Sequence, residues 1–151
     1  MTSMAQLLDH EWNLQLLNTQ FEYHHLSRED LFDLLAEDWE RETSALMIGR
    51  DIDSKGQLDV FFFCDQAYVG FQKFDSSQWL QSCDPANLHA PNSDEFVRVS
   101  PRNFEDWSFP RHSIITKESA WQIVKEYIGV GTLSLLFELD ASGRPITNRR
   151  A

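Results

Sequence analysis

Leu58-Asp59-Val60-Phe61-Phe62-Phe63-Cys64, then Asp65-Gln66, then Ala67-Tyr68-Val69-Gly70-Phe71-Gln72-Lys73-Phe74 are two β-type stretches parted by a two-residue break. β-branched and aromatic side chains dominate both, and a break of that length is what a hairpin needs. In the first stretch Leu58, Val60 and Phe62 share one face, while Phe61 and Phe63 lie on the other. A strand apolar on both sides is central and covered, at least in part, on both faces. Upstream, Ala45-Leu46-Met47-Ile48 leads through a turn around Asp53-Ser54-Lys55-Gly56, so residues 44–74 predict a three-stranded antiparallel meander. A helix must then pack over this sheet.

The flanks supply it. Glu11 to Leu17 alternates, with Trp12, Leu14 and Leu16 on one side, as a half-buried strand does. Ser27-Arg28-Glu29-Asp30 opens a helix running to about Glu40. The Ser27 hydroxyl can accept from first-turn amides, and Leu31, Leu34, Leu35 and Trp39 form an apolar face. Thr116 caps a second helix, in which Ala120, Ile123, Val124, Tyr127 and Ile128 recur at the spacing of one buried stripe. Gly129 is expected to end it through a left-handed turn, and Thr132 to Leu139 to return as a strand. The order βαβββ(β)αβ predicts an α+β domain: a mainly antiparallel sheet of five to six strands with two helices packed on one face. Residues 1–140 form this single domain, and residues 141–151 are expected to be a flexible basic tail.

Residues 75–112 carry Pro85, Pro91, Pro101 and Pro110 and one candidate strand, Glu95 to Val99, and read as largely irregular. Trp79, Phe104, Trp107 and Phe109 alternate there with Asp84, Asp94, Glu95, Glu105 and Asp106. Aromatic anchors set among acids compose a contact surface, so Trp79, Asp84, Asp94, Glu95, Glu105, Asp106 and Trp107 are the candidate partner-binding residues. The same aromatics could equally serve to anchor the loop on the core.

Charge points the same way. The chain has 24 acidic and 13 basic residues, net −11; leaving out Arg144, Arg149 and Arg150, residues 1–143 carry −14. Such a field repels nucleic acid and anionic membrane and speeds encounter with a cationic protein. It also serves plain solubility. Met1 to Asp9 does not read as a signal peptide and no stretch is apolar enough to span a membrane, so a cytoplasmic location is expected.

No motif carries chemistry. Asp51 to Gly56 begins like a calcium loop, but Lys55 stands where an oxygen ligand belongs and Phe62 where the closing Glu belongs. Adjacent His24 and His25 lack the spacing for one metal, and His10, His89 and His112 have no partner at ligand spacing. Cys64, in a phenylalanine run, is expected to be an inert buried thiol, and Cys83, in a polar loop, a surface thiol. Gly129-Val130-Gly131 sits at a helix end, not at the helix start where phosphates bind. The expectation is a protein that is not an enzyme and has neither metal nor cofactor.

Trp107 to Leu139 contains the loop Phe109-Pro110-Arg111-His112-Ser113, the step Ile114-Ile115-Thr116-Lys117-Glu118, the helix Ser119 to Ile128 and a final apolar stretch. This order resembles the C-terminal signature of the Imm-one-type immunity proteins of bacterial polymorphic toxin systems, and with the meander the likeness covers residues 44–139. Those proteins commonly finish with a Gly, a Pro and a Trp around the last strand, where this chain has Gly129-Val130-Gly131-Thr132 and Phe137. The resemblance implies a small binder that neutralises a cognate toxin, a basic nuclease- or deaminase-type effector, by occluding its active site. A monomer or homodimer with no direct nucleic-acid contact is expected. Two other classes fit the residues: an adaptor or homo-oligomeric module, and a ligand-binding domain or small enzyme whose pocket draws on His112, Arg111 and Glu105.

Overall fold

Alternation builds the first strand as expected. In the computed structural model, which describes residues 11–16, 21–41, 45–50, 56–63, 66–73, 79–88, 91–99, 107–142 and 144–146, Trp12, Leu14 and Leu16 are buried along β1 (Trp12–Leu16). β1 pairs with a strand the sequence did not announce, β2 (Phe21–Leu26), through a register shift between Trp12 and Leu14. At this bulge Asn13 Oδ1 accepts from the His25 amide at 3.3 Å, and His25 takes a positive φ of 57°. A side-chain acceptor from the neighbouring strand thus stands in for the ladder bond that the bulge removes.

The helix after β2, α1 (Arg28–Arg41), starts where the Ser27 hydroxyl accepts from the Asp30 amide at 3.0 Å. Leu31 and Leu35 point fully into the core. The meander follows: β3 (Ala45–Arg50), β4 (Gly56–Phe63) and β5 (Gln66–Lys73) are antiparallel neighbours, with Leu58 facing Phe71 and Val60 facing Val69. Residues 51–55 and 64–65, where turns are expected, and with them Cys64, lie outside the described residues.

Residues 75–112 are more regular than their prolines suggest. β6 (Trp79–Gln81) pairs with β5, a one-turn helix α2 (Pro85–Leu88) follows, and β7 (Phe96–Val99) pairs with β8 (Trp107–Pro110) as a separate two-stranded ribbon. A 3₁₀ turn (Arg111–Ser113) then leads into β9 (Ile115–Thr116), which pairs with the start of β5. Thr116 Oγ1 accepts from the Ser119 amide and caps α3 (Lys117–Val130). α3 runs through Gly129, and its left-handed terminus is Gly131, φ 83°, whose amide bonds the Glu126 and Tyr127 carbonyls. Thr132 to Leu139 is a strand only at β10 (Phe137–Glu138), because the Ser134 amide and hydroxyl bond the Glu126 carboxylate and hold the chain in a turn.

Among the described residues the main sheet has eight strands rather than five to six, in the order β10-β6-β5-β4-β3-β1-β2 with β9 on β5, all antiparallel. This is an α+β fold. Both long helices lie on one face, sharing a single core with Leu46, Ile48, Leu58, Val60 and Phe71, and Phe32 of α1 meets Trp121 of α3 edge to face. Each such fully buried side chain contributes about 1.5–3 kcal/mol. Among the described residues, neither long helix covers the other face. There Phe61 packs against Phe109 of the β7–β8 ribbon, with ring centroids 5.2 Å apart. Residues expected to trail from Ala141 return to the body as far as Ile146, whose amide bonds the Glu138 carbonyl. No helix among the described residues is long and apolar enough to cross a membrane.

A cleft on the helix-free face

Strand register places one polar row on the helix-free face. Asp59 of β4 is opposite Gly70 of β5, and Gly70 is opposite Gln81 of β6. Gly70 has no side chain, so the Tyr68 ring folds back over it. The phenol donates to Gln81 Oε1 at 3.3 Å and stacks on Phe109, centroids 4.2 Å apart. Burial pushes the phenol up to about 12, opposed by a hydrogen bond from the Trp79 indole and reinforced by the Asp59 charge. Burial likewise raises the Asp59 carboxyl to about 6, against the pull of the Gln57 amide that bonds it at 2.6 Å. Trp79 is therefore tethered by its nitrogen while its ring stays 37% exposed.

The facing wall is stitched from distant backbone. The His112 amide bonds the Ser93 carbonyl, the Arg111 amide bonds the Glu95 carbonyl, and the Asp84 amide bonds the His112 carbonyl. The His112 side chain is buried, and its Nε2 lies 3.7 Å from Asp94 Oδ1. Asp94 Oδ2 accepts from Arg144 at 3.0 Å, and the same guanidinium reaches the Leu88 carbonyl at 3.2 Å. Burial holds the His112 imidazole below its ordinary range, with Asp94 opposing and Arg144 assisting. His112 Nδ1 and Gln81 Nε2 are buried without a hydrogen-bond partner among the described residues. Between the walls lies a cleft of about 680 Å³, with Tyr68, Trp79, Phe96 and Phe109 in its lining.

Of the expected contact residues, Trp79 and Asp94 line this cleft and Glu95 is exposed beside Asp94. Asp84 is elsewhere: its carboxylate accepts from the Ala86 amide at the start of α2 and it lines a second cleft of about 510 Å³ against α3. Trp107 begins β8 opposite Val99, and Glu105 and Asp106 lie outside the described residues. Cys83 is not a surface thiol. It is buried beside Asp84, and burial with that charge raises it to about 11. Tyr68, Gln81, Phe96 and Arg144 escaped the sequence reading; the only hint was a glycine two places after a tyrosine in a strand. His24 Nδ1 lies 3.2 Å from Asn13 Oδ1, and no cluster of metal-ligating side chains occurs among the described residues.

No model of a known protein family and no curated protein sequence matches the chain.

Proposed function

We propose that this chain is an immunity-type inhibitor that binds a basic toxin, of nuclease or deaminase type, and covers its active site with the helix-free face. The observation that carries this is the grouping of exposed aromatic rings, Trp79 and Phe96 (66% exposed), with the acids Asp94 and Glu95 on a strongly acidic body. Apolar anchors ringed by charge are how small inhibitors combine affinity with fast encounter. The Trp79 tether lowers the ordering cost of that anchor. Acidic side chains would take the places that phosphates occupy in the toxin's groove.

The test is recovery of the tagged protein from its native host at low and then high salt, beside a Trp79→Ala, Asp94→Arg double variant. A stoichiometric basic partner that the variant loses supports the proposal. Recovery of the protein alone, or a partner indifferent to the variant, overturns it. A second reading, a small-ligand domain, draws on the buried His112 at the cleft. A small molecule retained in native mass spectrometry would favour it.

A further inference from the structure

Resting on the inhibitor reading, we propose that the helix-free cleft is a seat for one arginine side chain of the basic partner, and that Arg144 occupies the seat until the partner's guanidinium displaces it. Arg144 shows what chemistry fits there. A carboxylate, Asp94, and a backbone carbonyl, Leu88, accept its two terminal nitrogens at 3.0 and 3.2 Å. That is the forked arrangement that a planar guanidinium meets better than an ammonium does.

The chain presents Arg144 on a built turn. Asp140 Oδ1 accepts from the amides of Ser142 and Arg144, and the Asp140 amide bonds the Arg144 carbonyl. The bridge it makes is nonetheless solvated, with Arg144 41% and Asp94 60% exposed. Solvated ion pairs are weakly held and exchange readily.

A partner arginine would gain what Arg144 leaves unused. Nε2 of His112 lies 3.7 Å from Asp94, so the ring reports on what that carboxylate holds; a guanidinium brings donors and no acceptor. The exposed faces of Trp79 and Phe96 at the same cleft suit a cation. Net charge of −11 draws such a side chain in.

The experiment uses the full chain and the peptide acetyl-Gly-Arg-Gly-amide, with the citrulline peptide as the uncharged counterpart of the same shape. Nuclear magnetic resonance of the Trp79 indole and the His112 ring reads occupancy. The arginine peptide should shift both saturably and the citrulline peptide neither. Arg144→Gln should tighten binding by about threefold, the scale of a solvated ion pair. The isosteric Asp94→Asn should abolish it. Arg144→Lys, which keeps the charge without the fork, should fall between the parent and Arg144→Gln. The proposal is overturned if no saturable shift occurs, if citrulline matches arginine, or if Arg144→Gln leaves binding unchanged or weaker. A basic toxin captured by the chain and lost on Trp79→Ala, with no peptide shift, would sink the arginine seat alone; absence of any partner would sink the inhibitor reading.

Discussion

The Tyr68 hydroxyl fills the space that a side chain at Gly70 would take: a Cβ there would lie 2.9 Å from it. Tyr68 has little room to yield, being stacked on Phe109 and bonded to Gln81. Gly70→Ala should therefore cost about 1–3 kcal/mol, the usual scale of overpacking. Urea denaturation measures the loss, and the Trp79 indole should shift because its tether moves. A variant of parent stability with an unmoved indole would show that Tyr68 is not held as described.

Tyr68→Phe probes the same network from the other side. It strands the Gln81 carbonyl oxygen in a buried setting, so about 1–3 kcal/mol of stability should go. Trp79, losing its tether, should become more mobile, seen as lower fluorescence anisotropy. Equal anisotropy in both proteins would separate Trp79 from Tyr68.

Asp59 links this face to pH. Its carboxyl titrates at about 6 in the folded chain against 3.8 ordinarily, so the folded state holds the proton more tightly than the unfolded chain. The carboxyl is harmless below about pH 4, stability falls as pH rises towards about 6, and the full penalty persists above that. Asp59→Asn should thus be more stable than the parent by about 1–3 kcal/mol near pH 7.5, with no gain near pH 4. An equal difference at the two pH values, in denaturation midpoints, would rule out this carboxyl as the source.

Cys83 should resist alkylation. With its thiol raised to about 11, the thiolate fraction at pH 8 is about a thousandth, so iodoacetamide should modify it about 100-fold more slowly than in the urea-unfolded chain. Peptide mass spectrometry distinguishes it from Cys64. Equal rates in the folded and unfolded chain would contradict its burial.

What could be read from sequence was what repeats locally. The stripe of Ala120, Ile123, Val124, Tyr127 and Ile128 and the alternation of Trp12, Leu14 and Leu16 each state their own periodicity, and each is buried as read. Phe21-Glu22-Tyr23-His24-His25-Leu26 contains no β-branched residue and is a strand by virtue of the β1 edge and the Asn13 acceptor, neither of which is local. The cleft is less legible still. Trp79 and Asp94 were suggested by composition, but Asp94 meets Arg144 across 50 positions, and no spacing rule spans that distance. Arg144 reads as tail because Gly143 and Pro145 flank it in the sequence, whereas the Asp140 carboxylate, accepting from the Ser142 and Arg144 amides, is what holds it.

The end of α3 gives the sharpest test of local reading against structure, because two glycines two residues apart have opposite roles. Gly129 lies within the helix with open space around its missing Cβ, so Gly129→Ala should stabilise by about 0.5–1 kcal/mol through lower backbone entropy in the unfolded chain. Gly131 has φ 83° and terminates the helix, so Gly131→Ala should destabilise by about 1 kcal/mol. Thermal unfolding of the two variants should move in opposite directions. If Gly129→Ala were instead the damaging substitution, the helix would end where the sequence alone suggests, and Ser134 could no longer be placed against Glu126 by the turn that Gly131 begins.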